Sequence, residues 1–383
     1  MKKALLLTSV ASMIQQFNMR NIELLLEMGY EVEVACNFEQ GNTCAEELID
    51  ALKRELESKG VAWHQIDFAR NVFQLGQNLR AYKQLNILFR QNGYTLVHCQ
   101  SPIGGVLGRI VAYKHKTKII YTAHGFHFFK GAPWKNWLLF YPIEKMLSYK
   151  TDELLVINRE DYALANNKFY MRKLTYIPGI GVNTLLRDCD EKQKRKKRQE
   201  LGIPEDGFLM LQVAEFSQNK NQKTVIEAVE KMGNPDFYYV MCGIGPEKDR
   251  LETYVKKHDL RKNVCFIGFR NDVHELLQCA DCFCLSSYRE GLSVALMEAM
   301  AAGLPVIASR IRGNVDLIDD KKGGYLVSPG NPAEFKEACQ KLFSEKQENP
   351  KRMNSMGEYN QEKIKQFSAE TVDRIMRKVY ERQ

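Results

Sequence analysis

Residues 282–309 read CFCLSSYREGLSVALMEAMAAGLPVIAS. CFCLSS is an apolar run of strand length. YREG is polar and ends in glycine, and a helix is expected from about Leu292. A Gly-Leu turn then leads into a second strand-length run, PVIAS. Strand, loop, helix, turn and strand in that order are the repeating unit of a parallel sheet covered by helices.

The same alternation runs along the whole chain. Upstream strand candidates are KALLLTS (3–9), YEVEVAC (30–36), VAWHQID (61–67), YTLVHCQ (94–100), KIIYTAH (118–124), ELLVIN (153–158) and LTYIP (174–178). Helical patterns such as IQQFNMRNIELLLEMG (14–29) and AEELIDALKRELESKG (45–60) lie between most of them. FLMLQVAEF (208–216), FYYVMCG (237–243), VCFIGF (264–269), CFCLSS, PVIAS and GYLV (324–327) repeat the habit. Two such series predict an α/β chain of two doubly wound domains facing each other across a cleft. The break falls in 177–207, which is rich in Gly, Pro and charge and has little apolar periodicity before Leu201. The expected domains are 1–180 and 181–365, with a tail helix, 366–383, crossing back onto the first. In that tail Ser368 caps an apolar pattern at Val372, Ile375, Met376 and Tyr380.

Composition narrows the classes. A chain of 383 residues, 44% hydrophobic and 27% charged, fits two soluble domains. A net charge of +8 permits a nucleic acid, an anionic membrane or a phosphate-bearing substrate and selects none. The apolar run after Lys2 and Lys3 is too short for a secretory signal and reads as a first strand. No stretch approaches the ~20 apolar residues of a membrane span. Ten scattered cysteines suit a reducing cytosol. Cys279, Cys282 and Cys284 form CxxCxC, but no second ligand pair lies nearby, so buried thiols are expected. The basic run Lys192–Arg198 reads as a solvated helix start. Asp188–Asp190, DCD, imitates a paired-aspartate metal site but sits in the charged linker and is discounted; no cofactor is expected.

In an open α/β sheet, ligands bind outside the C-terminal ends of the strands, which selects the loop after CFCLSS. Gly291 lets a ligand approach the backbone, and a helix from about Leu292 offers free N–H groups and a positive dipole end to an anion. Glu290 and Glu298 are eight residues apart. They do not share a helix face, because eight steps of about 100° overshoot two turns by roughly 80°. Glu298 lies about 9–10 Å further along the axis. A nucleotide diphosphate sugar matches this layout, with one carboxylate on the sugar, the helix mouth on phosphate and the other carboxylate on the ribose. An exposed loop glutamate and a helix-flank glutamate would have the same spacing.

E-G-x6-E followed by EAMAAGLPVIAS (298–309) resembles the donor-site signature of retaining nucleotide-sugar glycosyltransferases of family four, which have the GT-B fold. VAEFSQNKNQKTVIEAV (213–229), CGIGPEKDRLE (242–252) and FIGFRNDVHELLQCADCFCLSSYREG (266–291) occur in family order. TAHGFHFF (122–129) resembles the region of the family's active-site histidine. The resemblance implies that Glu290 contacts the donor sugar and Glu298 the ribose. Backbone amides of Gly291, Leu292 and Ser293 would bind phosphate, and Lys220 would neutralise the diphosphate as the leaving group departs. His124, at a strand end before Gly125, would sit by the reacting carbon. His98 and His127 are weaker candidates.

The chain departs from the family at two places. Glu215 stands where arginine is usual, and orienting Lys220 is the role left to it, with Arg270 or Arg289 as sources of a second cation. TSVASMIQQF (8–17) lacks the usual glycine turn after the first strand. CGIGPE fails GxGxxG because Lys248 occupies the third glycine position, so Gly243 reads as part of a tight turn beside the nucleotide. FHFFKGAPWKNWLLFYPIEKML (126–147) mixes Trp134, Trp137, Phe140 and Tyr141 with Lys130 and Lys135, which fits partial exposure near a lipid-linked acceptor. The resemblance thus implies a retaining, metal-independent transferase. It would move sugar from a nucleotide sugar, UDP-linked, to a polyprenyl-linked glycan of bacterial surface polysaccharide. Its expected place is the cytoplasm, peripheral at the inner membrane face. A transferase with a soluble acceptor, a silent nucleotide-sugar-binding protein and a Rossmann oxidoreductase are the alternatives.

Overall fold

The computed structural model describes residues 2–41, 46–69, 71, 73–184 and 189–383. The chain divides into two compact units, Met1–Ile180 with Val372–Gln383, and Gly181–Thr371. The first holds strands β1 (Lys3–Val10), β2 (Glu31–Asn37), β3 (Ala62–Gln65), β4 (Leu96–Gln100), β5 (Lys118–Ala123), β6 (Glu153–Val156) and β7 (Lys173–Tyr176). The second holds β8 (Phe208–Val213), β9 (Phe237–Cys242), β10 (Val264–Gly268), β11 (Cys282–Leu285), β12 (Val306–Ser309) and β13 (Gly324–Val327). Every run expected to be a strand contains one.

Unit one is a seven-stranded parallel sheet ordered β3-β2-β1-β4-β5-β6-β7. Its strands are near-continuous apolar runs because helices cover the sheet. Leu5, Leu7, Val97, Cys99, Ile119 and Tyr121 share one core with Phe126 and Phe128. The helix Pro102–Lys114 packs closely because it carries glycines at the contact. A Cβ at Gly108 would lie 2.5 Å from both Cys99 Sγ and Leu7 Cδ2. In the same helix Arg109 is buried, with its guanidinium 3.9 Å over the Tyr121 ring. Its Nη2 donates to Glu144 Oε2 at 2.8 Å and its Nε to the Gly105 carbonyl at 2.9 Å.

The tail helix Ala369–Glu381 follows Ser368, whose hydroxyl accepts from Thr371 N at 3.2 Å. Its Val372, Met376, Val379 and Tyr380 are buried, and Asp373 pairs with Arg20 at 2.6 Å. The aromatic segment is split by its helix, Trp134–Ser148. Trp134 and Leu138 are 68% and 67% exposed, whereas Phe140 and Tyr141 pack against the unit-one core.

Unit two is a six-stranded parallel sheet ordered β10-β9-β8-β11-β12-β13. Alternate residues feed its two faces, as a pleated strand requires. Leu209, Leu211, Phe283 and Leu285 enter one core, and Phe208, Met210, Cys282 and Cys284 the other. Cys279 belongs to the first core and Cys282 and Cys284 to the second, so CxxCxC is divided by the sheet. Burial pushes the Cys279 thiol up to about 11 and the other two further. The basic run forms the helix Glu191–Glu200, capped by Asp190 in a reciprocal bond with Gln193. Lys197 and Arg198 pair with Asp272 and Asp281 at 2.6 and 2.7 Å. Asp188 of the DCD stretch lies outside the described residues.

Arg109 is almost wholly buried, so removing its counter-ion leaves a buried, unpaired charge. Glu144→Ala is expected to destabilise unit one by about 3–5 kcal/mol. Chemical denaturation of the full chain, followed by a unit-one probe such as a reporter on Trp137, measures this. Arg109→Met paired with Glu144→Leu is expected to recover most of the loss.

Candidate active site

Strand order reverses between β8 and β11: β8 leads outward to β9 and β10, and β11 to β12 and β13. The loops after these two strands therefore leave the same sheet edge side by side. They are stitched together. Tyr288 N donates to the Asn219 carbonyl at 2.8 Å, and Asn219 Nδ2 to the Arg289 carbonyl at 3.0 Å. Ser286 Oγ donates to the Lys220 carbonyl at 2.8 Å. Beneath them Gln212 is buried and accepts from the Tyr239 hydroxyl. The stitching brings Lys220 Nζ to 2.6 Å from Glu290 Oε1, both side chains partly shielded. Lys220 is therefore held by Glu290 and not by Glu215, whose side chain is exposed.

The helix after Glu290 is Val294–Ala301, beginning two residues later than expected. Ser293 is its N-cap, and its Oγ accepts from Leu296 N at 3.3 Å. A serine cap competes with helix for its own backbone, so Ser293 stays extended ahead of it. Gly291 is pressed against the β12 loop. A Cβ on Gly313, which has φ +82°, would lie 2.4 Å from the Gly291 carbonyl oxygen. Glu298 is half-buried on this helix, and desolvation raises its pKa above the ordinary carboxylate value, partly opposed by His274.

Gly243 follows β9, and a Cβ there would come within 2.0 Å of the Ala214 carbonyl oxygen. It lets the β9 turn lie against the Lys220 loop. Arg270 is engaged elsewhere, donating to Asp272 at 2.6–2.7 Å and to Glu200 at 2.6 Å. Arg312 escaped the sequence reasoning. It is buried, and its Nε lies 3.4 Å from the Glu290 carbonyl oxygen. Its signal was available as a cation three residues beyond a strand aimed at the same edge. Ser287 and Ser309 hydroxyls and Asn314 Oδ1, at the ends of β11 and β12, are buried and have no hydrogen-bond partner among the described residues.

In unit one the strand order reverses between β1 and β4. The missing glycine turn after β1 is replaced by a helix, Ala11–Phe17, starting directly at the strand end. Ser9 and Ser101 clasp across the two strands, with their hydroxyls 2.6 Å apart and Ser9 N donating to Ser101 Oγ at 3.0 Å. An open crevice of about 680 Å³ lies beside them, lined by Met13, Phe17, Phe73, His127 and Phe140 among others.

The two strand-end histidines separate. His98 is buried, with Nδ1 2.9 Å from the Tyr380 hydroxyl and Nε2 2.7 Å from Thr122 Oγ1. Burial, with a smaller effect from His124, pushes its pKa down to about 3. His124 follows β5, is only partly exposed, and holds Gln100 Oε1 with its Nε2 at 2.7 Å. Desolvation pushes its pKa down to about 4. His98 is thus a core histidine satisfied by two hydroxyls, and His124 keeps one ring edge available.

Comparison with known proteins follows these boundaries. Residues 193–363 match the model of the family described as glycosyl transferases group 1, and residues 3–158 that described as glycosyl transferase 4-like. The chain is 37% identical over 382 residues to EpsD of Bacillus subtilis (strain 168), covering 98% of this chain and 95% of that one. The name of that protein gives it provisionally as a glycosyltransferase. It is 26% identical over 350 residues to UDP-Gal:alpha-D-GlcNAc-diphosphoundecaprenol alpha-1,3-galactosyltransferase of Escherichia coli, covering 89% and 87%. Anabaena HepE, solved in complex with UDP, superposes with TM-score 0.78 at 18% identity over all of both chains. That likeness shows the GT-B fold.

His98 has a measurable consequence. The unfolded chain takes a proton on it below about pH 6.5, and the folded chain refuses that proton until about 3. Its contribution is complete above 6.5 and drains as the pH falls. Between pH 6.5 and 5 the loss from His98 is expected to be about 1–2 kcal/mol. Thermal unfolding across that range checks it: His98→Gln is expected to flatten the slope, and an unchanged slope would contradict the assignment.

Proposed function

The chain belongs to the group 1 glycosyltransferases, and from that premise we propose that it transfers a sugar from a UDP-sugar to a hydroxyl of a lipid-linked glycan, with retention at the anomeric carbon. Unit two is the donor-binding unit in this proposal and unit one the acceptor-binding unit. The observation that carries it is the Lys220–Glu290 pair at the β8/β11 reversal, directly ahead of a capped helix start.

The pair gives each group a defined place. A diphosphate competes with Glu290 for Lys220: as Nζ turns to a phosphate oxygen, the carboxylate is released to accept from sugar hydroxyls. Lys220 then stabilises the charge that builds on the departing diphosphate. The amides of Gly291, Leu292 and Ser293 add donors at the electropositive helix end. Glu298, one turn into the helix, takes the ribose hydroxyls. Gly243 allows the nucleotide to lie close to the β9 turn. The buried Ser287, Ser309 and Asn314 atoms support the reading, since buried polar groups are normally matched and a polar ligand at these strand ends supplies partners. Arg312 is the second cation in this proposal by its position, with its Nε at the Glu290 carbonyl oxygen, whereas Arg270 turns to Asp272 and Glu200.

His124 contacts the donor sugar near its reacting carbon. Retention follows if the departing phosphate takes the proton of the acceptor hydroxyl on the same face, with Glu290 positioning the sugar and not attacking it. Diphosphate charge is met by Lys220, Arg312 and backbone amides, so no metal enters the proposed mechanism. The lipid-linked acceptor is supported by the apolar crevice beside Ser9 and by exposed Trp134 and Leu138 next to Lys130 and Lys135. No helix among the described residues is long and apolar enough to cross a membrane. We place the protein at the cytoplasmic face of the membrane as a peripheral protein, acting in surface polysaccharide synthesis.

A panel of nucleotide sugars tests the donor, scored by protection against thermal unfolding and by transfer to a polyprenyl-diphosphate glycan in vesicles or to soluble sugars. One UDP-sugar is expected to raise the melting temperature and to be consumed only with the lipid-linked acceptor. Glu290→Gln is expected to keep UDP protection while turnover falls about 10²–10³-fold. No response from any donor, or full turnover in Glu290→Gln, would overturn the proposal.

A further inference from the structure

His124 leaves one question of chemistry open, namely which ring nitrogen carries the proton. Imidazole nitrogens look alike, and the answer decides whether the ring offers a donor or an acceptor to a ligand. The surrounding side chains answer it, starting from a backbone atom whose role is fixed. The Met13 carbonyl only accepts, and it receives Asn18 Nδ2 at 2.9 Å. That orients the buried Asn18 amide, so its Oδ1 faces the Gln100 amide as an acceptor. Gln100 must then present Nε2 to Asn18, which turns its Oε1 toward His124. Oε1 only accepts, so the ring must donate from Nε2 across the 2.7 Å contact.

We propose that Asn18 and Gln100 are positioning residues that lock His124 as the Nε2–H tautomer, leaving Nδ1 as a lone-pair acceptor for a sugar hydroxyl. No hydrogen bond to Nδ1 occurs among the described residues. The low pKa of the ring supports a neutral imidazole at physiological pH, which a charged ring with two donors would not be. The Phe17 ring, 5.7 Å from that of His124, packs beside it. Asn18 follows the helix Ala11–Phe17, which starts directly at the end of β1 and so carries the first member of the relay to the strand ends. Gln100 ends β4 and His124 follows β5, so the parallel register that pairs Gln100 with Thr122 brings their side chains together.

An acceptor at Nδ1 has a specificity consequence. It requires a hydroxyl that donates, so a donor sugar deoxygenated at that position loses the contact and gains nothing in exchange. The proposal rests on the role given to His124 above, but the tautomer can be read without any substrate.

Histidine-selective ¹⁵N labelling of the full chain, with His124→Asn used to assign the resonance, reports the tautomer through long-range ¹H–¹⁵N correlations. The expected result near pH 7 is Nε2–H alone, its proton slow to exchange. In Gln100→Met, that proton is expected to exchange at least tenfold faster and the Nδ1–H form to appear. Transfer is expected to fall about tenfold while UDP affinity stays within about twofold, as for one misplaced hydrogen bond. If Gln100→Met does not fold, Gln100→Glu serves: a carboxylate on Nε2–H is expected to raise the pH of ring protonation by about one unit or more. An Nδ1–H ring in the wild type, or no change in either Gln100 variant, overturns the relay. A locked tautomer together with full transfer by His124→Asn would instead remove His124 from the reaction and leave the relay intact.

Discussion

Lys220 and Glu290 are 70 residues apart in the chain and 2.6 Å apart in space. One constraint puts them there. A parallel sheet that grows outward in both directions from β8 and β11 has one edge position where two loops leave together with nothing between them. Ser286, Asn219 and Tyr288 close the remaining gap through bonds to the opposite loop's backbone. Those bonds fix the loops, and the loops fix the ion pair. Glycines 243 and 313 let two further loops press in from the flanks, because a Cβ at either would strike a neighbouring carbonyl. The site is therefore built mostly of backbone approach, with few side chains committed to it.

The first unit meets the same constraint differently. Its reversal point lies between β1 and β4, where serines 9 and 101 are clasped. Here a helix starts at Ala11, directly at the end of β1, and brings the Phe17 ring beside His124 and, one residue on, the Asn18 amide to Gln100.

Much of this was legible in the sequence. Short apolar runs separated by helical patterns mark a parallel sheet, because such strands are buried on both faces and cannot alternate. The Glu290 loop was legible as a break between a strand and a helix, while a ligand role for its glutamate rested on the family resemblance. The pairings were not. Strand-end position alone does not separate His98 from His124; Tyr380, 282 residues away, makes the first a satisfied core residue. Arg270 reads as a free cation until Glu200 and Asp272 close on it. The helix after Glu290 starts at Val294 because Ser293 prefers to cap, a choice that turns on one hydroxyl. Arg312 had a position but no motif. For His98, Arg270 and Arg312 the missing information is a partner distant in the chain, which periodicity cannot carry.

In the proposed function this ion pair differs from an ordinary surface pair, because each member takes a second task when a diphosphate arrives. Isothermal titration of UDP against the wild type, Lys220→Met and Glu290→Gln tests this most directly. The pair as described requires Lys220→Met to weaken binding at least about tenfold, the loss of a charge-assisted contact. Glu290→Gln should bind as tightly as the wild type or more so, because the lysine is no longer shared. UDP affinity indifferent to Lys220→Met, or equally damaged by both substitutions, would contradict the account.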